Sequence, residues 1–182
     1  MFIAALLIAP RSGESFAGSI SDASNVAKGR PTSVSTSQGF WGDTTGSLAV
    51  DGEPNPSFKG GKSCTSTKIT GGGPFDNPWW KVDLQKTRSV SHVRITNRGD
   101  CCGANLDGFT IKVGGQTCGQ GVNVVPQGLT GDFQCNPPLS GDNVEIKITG
   151  KGRTLILCEV SLLRGQLLGV RSDTDCSTVV TG

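Results

Sequence analysis

The stretch VSHVRITNRGDCCGAN, residues Val90–Asn105, begins as a strand and ends in a chemical oddity. Val93 and Ile95 fall on one face while His92, Arg94 and Thr96 fall on the other, the period of two that a half-buried β-strand requires. The strand runs directly into Arg98-Gly99-Asp100 and then into two adjacent cysteines, Cys101 and Cys102. Consecutive Cα atoms lie about 3.8 Å apart, below the separation of about 4.4 Å at which ordinary disulfides begin. Either this pair closes as a tight ring, or each cysteine finds a distant partner; the residues alone leave both open. A closed ring would form a rigid, polarisable, apolar plate beside the guanidinium of Arg98. That pairing of a flat apolar surface with a fork of N–H donors matches a sugar, which offers a C–H face and a set of hydroxyl and ring oxygens. The Arg-Gly-Asp tripeptide, by contrast, comes straight off a strand rather than from a long mobile loop, which argues against integrin-type adhesion.

Working outward, the same alternation recurs. PWWKVDL (78–84), GFTIKVG (108–114), with Phe109, Ile111 and Val113 aligned, and NVEIKITG (143–150), with Val144, Ile146 and Ile148 aligned, all read as strands. TLILCEVSLL (154–163) is more continuously apolar and suits a central strand, and NVAKGRPTSVSTS (25–37) suits an entering one. No segment has a helical period. Short strands punctuated by 27 glycines and 9 prolines predict an all-β sandwich or barrel.

The chain has 182 residues, about one domain, with a formal net charge of +2 and scattered basic residues. That excludes a nucleic-acid footprint. Seven cysteines with one histidine and no Cys-x-x-Cys pair disfavour zinc and point to disulfides in an oxidising compartment. The apolar start MFIAALLIAP is too short to span a bilayer. With Ser15-Phe16-Ala17 ahead of Gly18, it reads as a secretory signal over residues 1–17, giving a secreted protein with no transmembrane segment. The globular domain is expected over 19–164 and a tail or linker over 165–182, where Cys176 is free to join a second copy of the chain in a homo-oligomer.

The motifs NVAKGRPTSVSTS, AVDG followed by SC, NPWWKVDL, TNRGDCCG and a closing LCEV together resemble the F-type lectins, the fucose-binding family also called fucolectins, over roughly residues 25–163. The resemblance implies an eight-stranded jelly-roll β-sandwich of the discoidin (coagulation factor 5/8 C-type) class. It implies three disulfides, Cys64 with Cys158, Cys118 with Cys135, and the adjacent Cys101 with Cys102 as the sugar's apolar platform. It implies a structural Ca2+ held by the carbonyls of Leu48, Glu53 and Cys158, the side chains of Asp51 and Glu159, and Ser63. The donor types suit that ion, which takes six to eight oxygens from carboxylates, carbonyls and hydroxyls. It implies partners that are glycans or glycoproteins, fucosylated ones first, in recognition or innate defence.

Departures from the family pattern fall in the sugar site. Arg98 and Asp100 match the motif Arg-x-Asp-x-x-x-x-Arg/Lys, but its second basic position is Asn105. The family's histidine position, in SCTST, is Ser66; His92 lies mid-strand and off the pattern. Phe58 is kept beside the pocket, followed by Lys59. Losing one arginine and one histidine contact costs about 3–5 kcal/mol, a factor of about 100 or more in affinity, unless Asn105, Ser66, Lys59, or Lys68 and Phe75 in the apparent insertion KITGGGPFD (68–76) replace them. Two functions follow: a lectin of altered or weakened specificity, or a protein-binding adhesion module on the same fold, as in the sperm bindins built from such repeats. An enzyme is excluded by the lack of a Ser/His/Asp set and of a nucleophile elbow.

Overall fold

The structure, a computed structural model, describes residues 25–36, 45–67 and 76–164. The expected signal segment 1–17, residues 68–75 of the 68–76 insertion, Lys68 and Phe75 among them, and residues 165–182 of the tail with Cys176 lie outside the described residues. The strands among the described residues are β1 (Thr32–Val34), β2 (Thr65–Ser66), β3 (Trp79–Thr96), β4 (Phe109–Val113), β5 (Gln116–Asn123), β6 (Thr130–Ile148), β7 (Ile156–Leu157) and β8 (Glu159–Leu163). Every described pairing is antiparallel.

Two long strands organise the molecule. β3 has 18 residues and β6 has 19; straight, each would run about 60 Å, so each must bend. The ladder between them shifts register between Asp83 and Arg88 and again between Val90 and His92, and such bulges bend a strand. The first half of β3 (Trp79–Asp83) pairs with β1 and with the second half of β6, which also carries β4 and through it β5. The second half of β3 (His92–Thr96) pairs with the first half of β6 and with β8. The buried side chains of both halves, Trp80, Val82 and Leu84 with Val93 and Ile95, share one core with Ile111, Ile146, Ile148, Val160 and Leu162. The result is a two-layer antiparallel sandwich.

The expected strands 78–84 and 90–97 are thus two ends of one. The polar link Gln85–Ser89 lies on the surface within the strand and carries its irregularity, with Gln85 left-handed at φ 62° and the register shift beside it. TLILCEVSLL divides at Cys158 into β7 and β8. A smaller cluster, Phe58, Cys64, Ile156 and Cys158, sits under the short β2–β7 ladder and a single α-helical turn, Phe58–Gly61. All three disulfides implied by the family resemblance are present: Cys64–Cys158, Cys101–Cys102 and Cys118–Cys135. Among the described residues no helix is long and apolar enough to cross a membrane.

Candidate carbohydrate-binding site

The chain leaves β3 at Thr96 and enters a tightly tied loop. Asn97 is 1 % exposed, and both hydrogens of its amide are used, on the carbonyls of Gly103 at 3.0 Å and Val125 at 2.7 Å. Its Oδ1 accepts the Arg98 N–H at 2.8 Å. Gln127 straps the loop from outside: Nε2 donates to the Gly99 carbonyl at 2.9 Å and Oε1 accepts the Gly103 N–H at 3.1 Å. The two cysteines lie between these anchors. Cys102 takes a left-handed conformation, φ 60°, a region that costs a non-glycine residue unless its surroundings hold it there. Gly103 admits no side chain, since a Cβ there would stand 2.6 Å from Cβ of Gln127.

The Cys101–Cys102 pair faces outward, Cys102 exposed and Cys101 half-buried. Behind it Arg98, 4 % exposed, grips Asp100 with both arms, Nε to Oδ1 at 2.7 Å and Nη2 to Oδ2 at 3.1 Å. Asp100 also accepts the backbone N–H groups of Phe58 and Lys59, each at 3.3 Å. The hydrogen bonds from Arg98 first, then its charge and those two N–H groups, outweigh partial burial and hold the Asp100 carboxyl down to about 2. The guanidinium carbon of Arg98 stands 4.4 Å from the centre of the Phe58 ring, a cation–π contact. Phe58, 7 % exposed, is therefore a floor beneath the arginine rather than a wall of the pocket.

The remaining candidates divide. Lys59 is exposed at the same rim, and Asn105 is half-buried in the 3-10 turn Gly103–Leu106, its N–H bonded to the Cys102 carbonyl at 3.0 Å. Ser66 is fully buried in β2, and its hydroxyl donates to the Thr67 carbonyl at 2.8 Å. That places it below the surface instead of at the rim. His92 is half-buried in β3 with Nδ1 3.0 Å from the Ser91 hydroxyl, remote in the fold from this loop. Sequence reasoning missed Asn97 and Gln127, whose roles depend on contacts across the fold.

The candidate calcium residues lie beside this site. Glu159, 4 % exposed, accepts the Gly52 N–H on Oε2 at 3.2 Å. Asp51 Oδ1 accepts the Glu53 N–H at 2.8 Å. The Ser63 hydroxyl donates to the Asn55 carbonyl at 2.7 Å and approaches the Ser57 carbonyl at 3.2 Å. Cys158 is tied to Ser63's neighbour Cys64 by a disulfide, and Leu48 lies in the 3-10 turn Gly46–Ala49 that leads into the loop. Among the described residues no three His, Cys, Asp or Glu side chains cluster closely enough to hold a metal, so an ion here would draw mainly on backbone and hydroxyl oxygens. A cavity of about 240 Å³ opens on this side, bordered by Lys28, Gly52, Arg94, Thr96 and Glu159, and includes no residue of the Arg98–Cys102 loop.

Comparison with known proteins places this arrangement in a family. Residues 48–146 match a family profile described as a NedA-like, galactose-binding domain. The chain is 35 % identical to Fucolectin-3 of Anguilla japonica over 148 residues, 76 % of this chain and 78 % of that one. It is 38 % identical to Fucolectin-6 of the same species over 146 residues, covering 76 % and 74 %. The structure superposes on an F-lectin (fucolectin) from Morone saxatilis serum with a TM-score of 0.68 and 30 % identity, over 78 % of this chain and 48 % of that one, so this chain spans about half its length. It superposes on a His 62 mutant of the lectinolysin lectin domain, complexed with Lewis b, with a TM-score of 0.64 and 27 % identity, covering 77 % and 95 %. The chain belongs to the F-type lectin (fucolectin) family of carbohydrate-binding proteins.

Proposed function

We propose that this chain is a secreted lectin for fucosylated glycans whose specificity differs from the family pattern. One observation carries the reading: an exposed Cys101–Cys102 plate set directly beside the bidentate Arg98–Asp100 pair. The plate takes the C–H face of a deoxysugar, and the N–H groups of Arg98 that Asp100 does not use are left for the sugar's oxygens. Buried Ser66 and uncharged Asn105 withdraw two family donors, so weaker or altered selectivity follows. The test is a glycan array with the purified chain. Dose-dependent binding to fucosylated structures, Lewis b among them, is the expected result. The same two departures favour the second reading, a protein-binding module; a blank array combined with saturable binding to an unglycosylated partner would establish it.

Calcium belongs to the same proposal. The side chains of Asp51 and Glu159, the Ser63 hydroxyl and the carbonyls of Leu48, Glu53 and Cys158 would hold it, and the ion would pin the loop that supports Phe58. The supporting observation is that Glu159 reaches the Asp51–Glu53 turn, its Oε2 on the Gly52 N–H, so that two carboxylates and the backbone oxygens of that turn lie together. With calcium at about a hundredfold its Kd, binding adds about 2.7 kcal/mol of stability. Melting temperatures should therefore rise with calcium in the wild type and much less in Glu159→Gln. Equal melting of the wild type in calcium and in chelator would dismiss the ion.

A further inference from the structure

Resting on the reading of this site as a fucose-class sugar site, we propose that Arg153 supplies its second cationic donor, from the turn ahead of β7 rather than from position 105. Three placements converge on it. First, β7 pairs with β2, Ser66 opposite Ile156, and the pairing extends outward through Thr67 N–H to the Leu155 carbonyl and Leu155 N–H to the Thr67 hydroxyl, both at 2.9 Å. Arg153 thus stands two residues ahead of Leu155, the partner of Thr67. Second, Arg153 Nη2 donates to the Asp107 carbonyl at 2.7 Å and stands 3.5 Å from the carbonyl of Asn105 itself. Its guanidinium rests on the 3-10 turn that begins at Cys102. Third, it is half-buried, which fixes it in place without hiding it.

Its chemistry differs from that of Arg98. The charge of Arg98 is matched by Asp100, and two of its nitrogens are committed there. Among the described residues Arg153 has no carboxylate partner: Nη2 meets the carbonyls of Asp107 and Asn105, and no described residue accepts from Nε or Nη1. A positive charge held on neutral carbonyls, with N–H donors at Nε and Nη1 that no described residue takes up, is prepared for sugar hydroxyl and ring oxygens. Of the two positions where this chain lacks the family's donors, Asn105 touches this side chain through its carbonyl, and Ser66 lies on the strand that pairs with β7 directly after it. An arginine in the turn after β6 thereby takes over a function that the motif around the double cysteine no longer provides.

The experiment measures calorimetric affinity for two probes, methyl α-L-fucoside and the Lewis b oligosaccharide, in the wild type, Arg153→Ala, Arg153→Lys, Asn105→Arg and the double variant Asn105→Arg/Arg153→Ala, with a melting temperature for each. Arg153→Ala should weaken binding by about tenfold or more, and Asn105→Arg in the same chain should recover most of the loss. That recovery separates a sugar contact from a structural one, because Asn105→Arg cannot rebuild the bonds to the Asp107 and Asn105 carbonyls. Arg153→Lys, which keeps the charge and the apolar stem, serves if the alanine variant fails to fold; an affinity loss at unchanged melting temperature supports the proposal. Unchanged affinity in a folded Arg153 variant overturns it, as does a loss that follows melting temperature and that Asn105→Arg does not repair. A wild type that binds neither probe overturns this proposal and the fucose reading together, whereas binding that is indifferent to Arg153 leaves the fucose reading standing.

Discussion

Replacing Arg98 by alanine should reduce affinity for fucosylated glycans by about a hundredfold or more, with a smaller loss of stability. Two effects separate here. The binding loss comes from removing a guanidinium whose direction is set by Asp100 on one side and the Phe58 ring beneath it; arginine presents a planar fork, and neither water nor a lysine point charge reproduces it. The stability loss comes from stranding Asp100. That carboxylate keeps only two long bonds, from the Phe58 and Lys59 N–H groups at 3.3 Å. Its side chain is 23 % exposed, so water takes part of the load, and the cost is about 1–2 kcal/mol. The pH dependence gives an independent reading. Asp100 titrates at about 2 in the folded chain, below the ordinary 3.8. Its folded value is depressed, so its contribution is complete above pH ~4 and is lost as pH falls toward 2. In Arg98→Ala the carboxyl returns toward the ordinary range, and the wild type's extra loss of stability between those pH values should shrink. An Arg98→Ala chain that binds Lewis b as tightly as the wild type would remove Arg98 from the site.

How much of this was readable in advance depends on the distance over which each feature is determined. The Arg98–Asp100 pair and the adjacent cysteines are local, within five residues, and their motif announces them. The strands with clean alternation, such as Phe109–Val113, are also local, because one buried face writes itself as a period of two. β5, Gln116–Asn123, gives no such signal: QTCGQGVN has few apolar side chains, and it is held by its ladder to β4 and by the Cys118–Cys135 bridge. In β6 the residues Asn136–Pro137–Pro138 lie within the strand, exposed, where absent proline donors cost little, and carry no strand signal of their own. Ser66 is the instructive case in the site. Its position in the motif matches the family histidine, but a hydroxyl is too short to reach out of a buried β2 position, and it settles on the neighbouring carbonyl instead. Asn97, Gln127 and Arg153 act through partners distant in sequence, at Val125, Gly99 and Asp107. No short window contains both ends of such contacts.

The disulfides should divide into two functional kinds when removed in pairs. Cys64→Ser with Cys158→Ser opens a link across 94 residues of sequence, and the chain-entropy argument assigns such a loop about 4–5 kcal/mol. That is a large share of the stability of an ordinary domain, about 5–15 kcal/mol. Both cysteines are buried against Phe58 and Ile156, so hydroxyls there add a desolvation cost. Because Phe58 supports Arg98, sugar binding should weaken as well. Cys101→Ser with Cys102→Ser removes a link across a sequence separation of 1. So small a ring takes almost no entropy from the unfolded chain, and the melting temperature should move by only about a few degrees. Binding should nevertheless fall by about tenfold or more, because two hydroxyls that seek water replace a fused apolar plate facing the ligand. Chemical denaturation and calorimetry on the two double variants would separate these costs. A Cys101/Cys102 variant that keeps full affinity would show that the sugar does not rest on the sulfurs, and the conformation of Cys102, held at φ 60° by Asn97 and Gln127, would then have to be explained by the loop's shape alone.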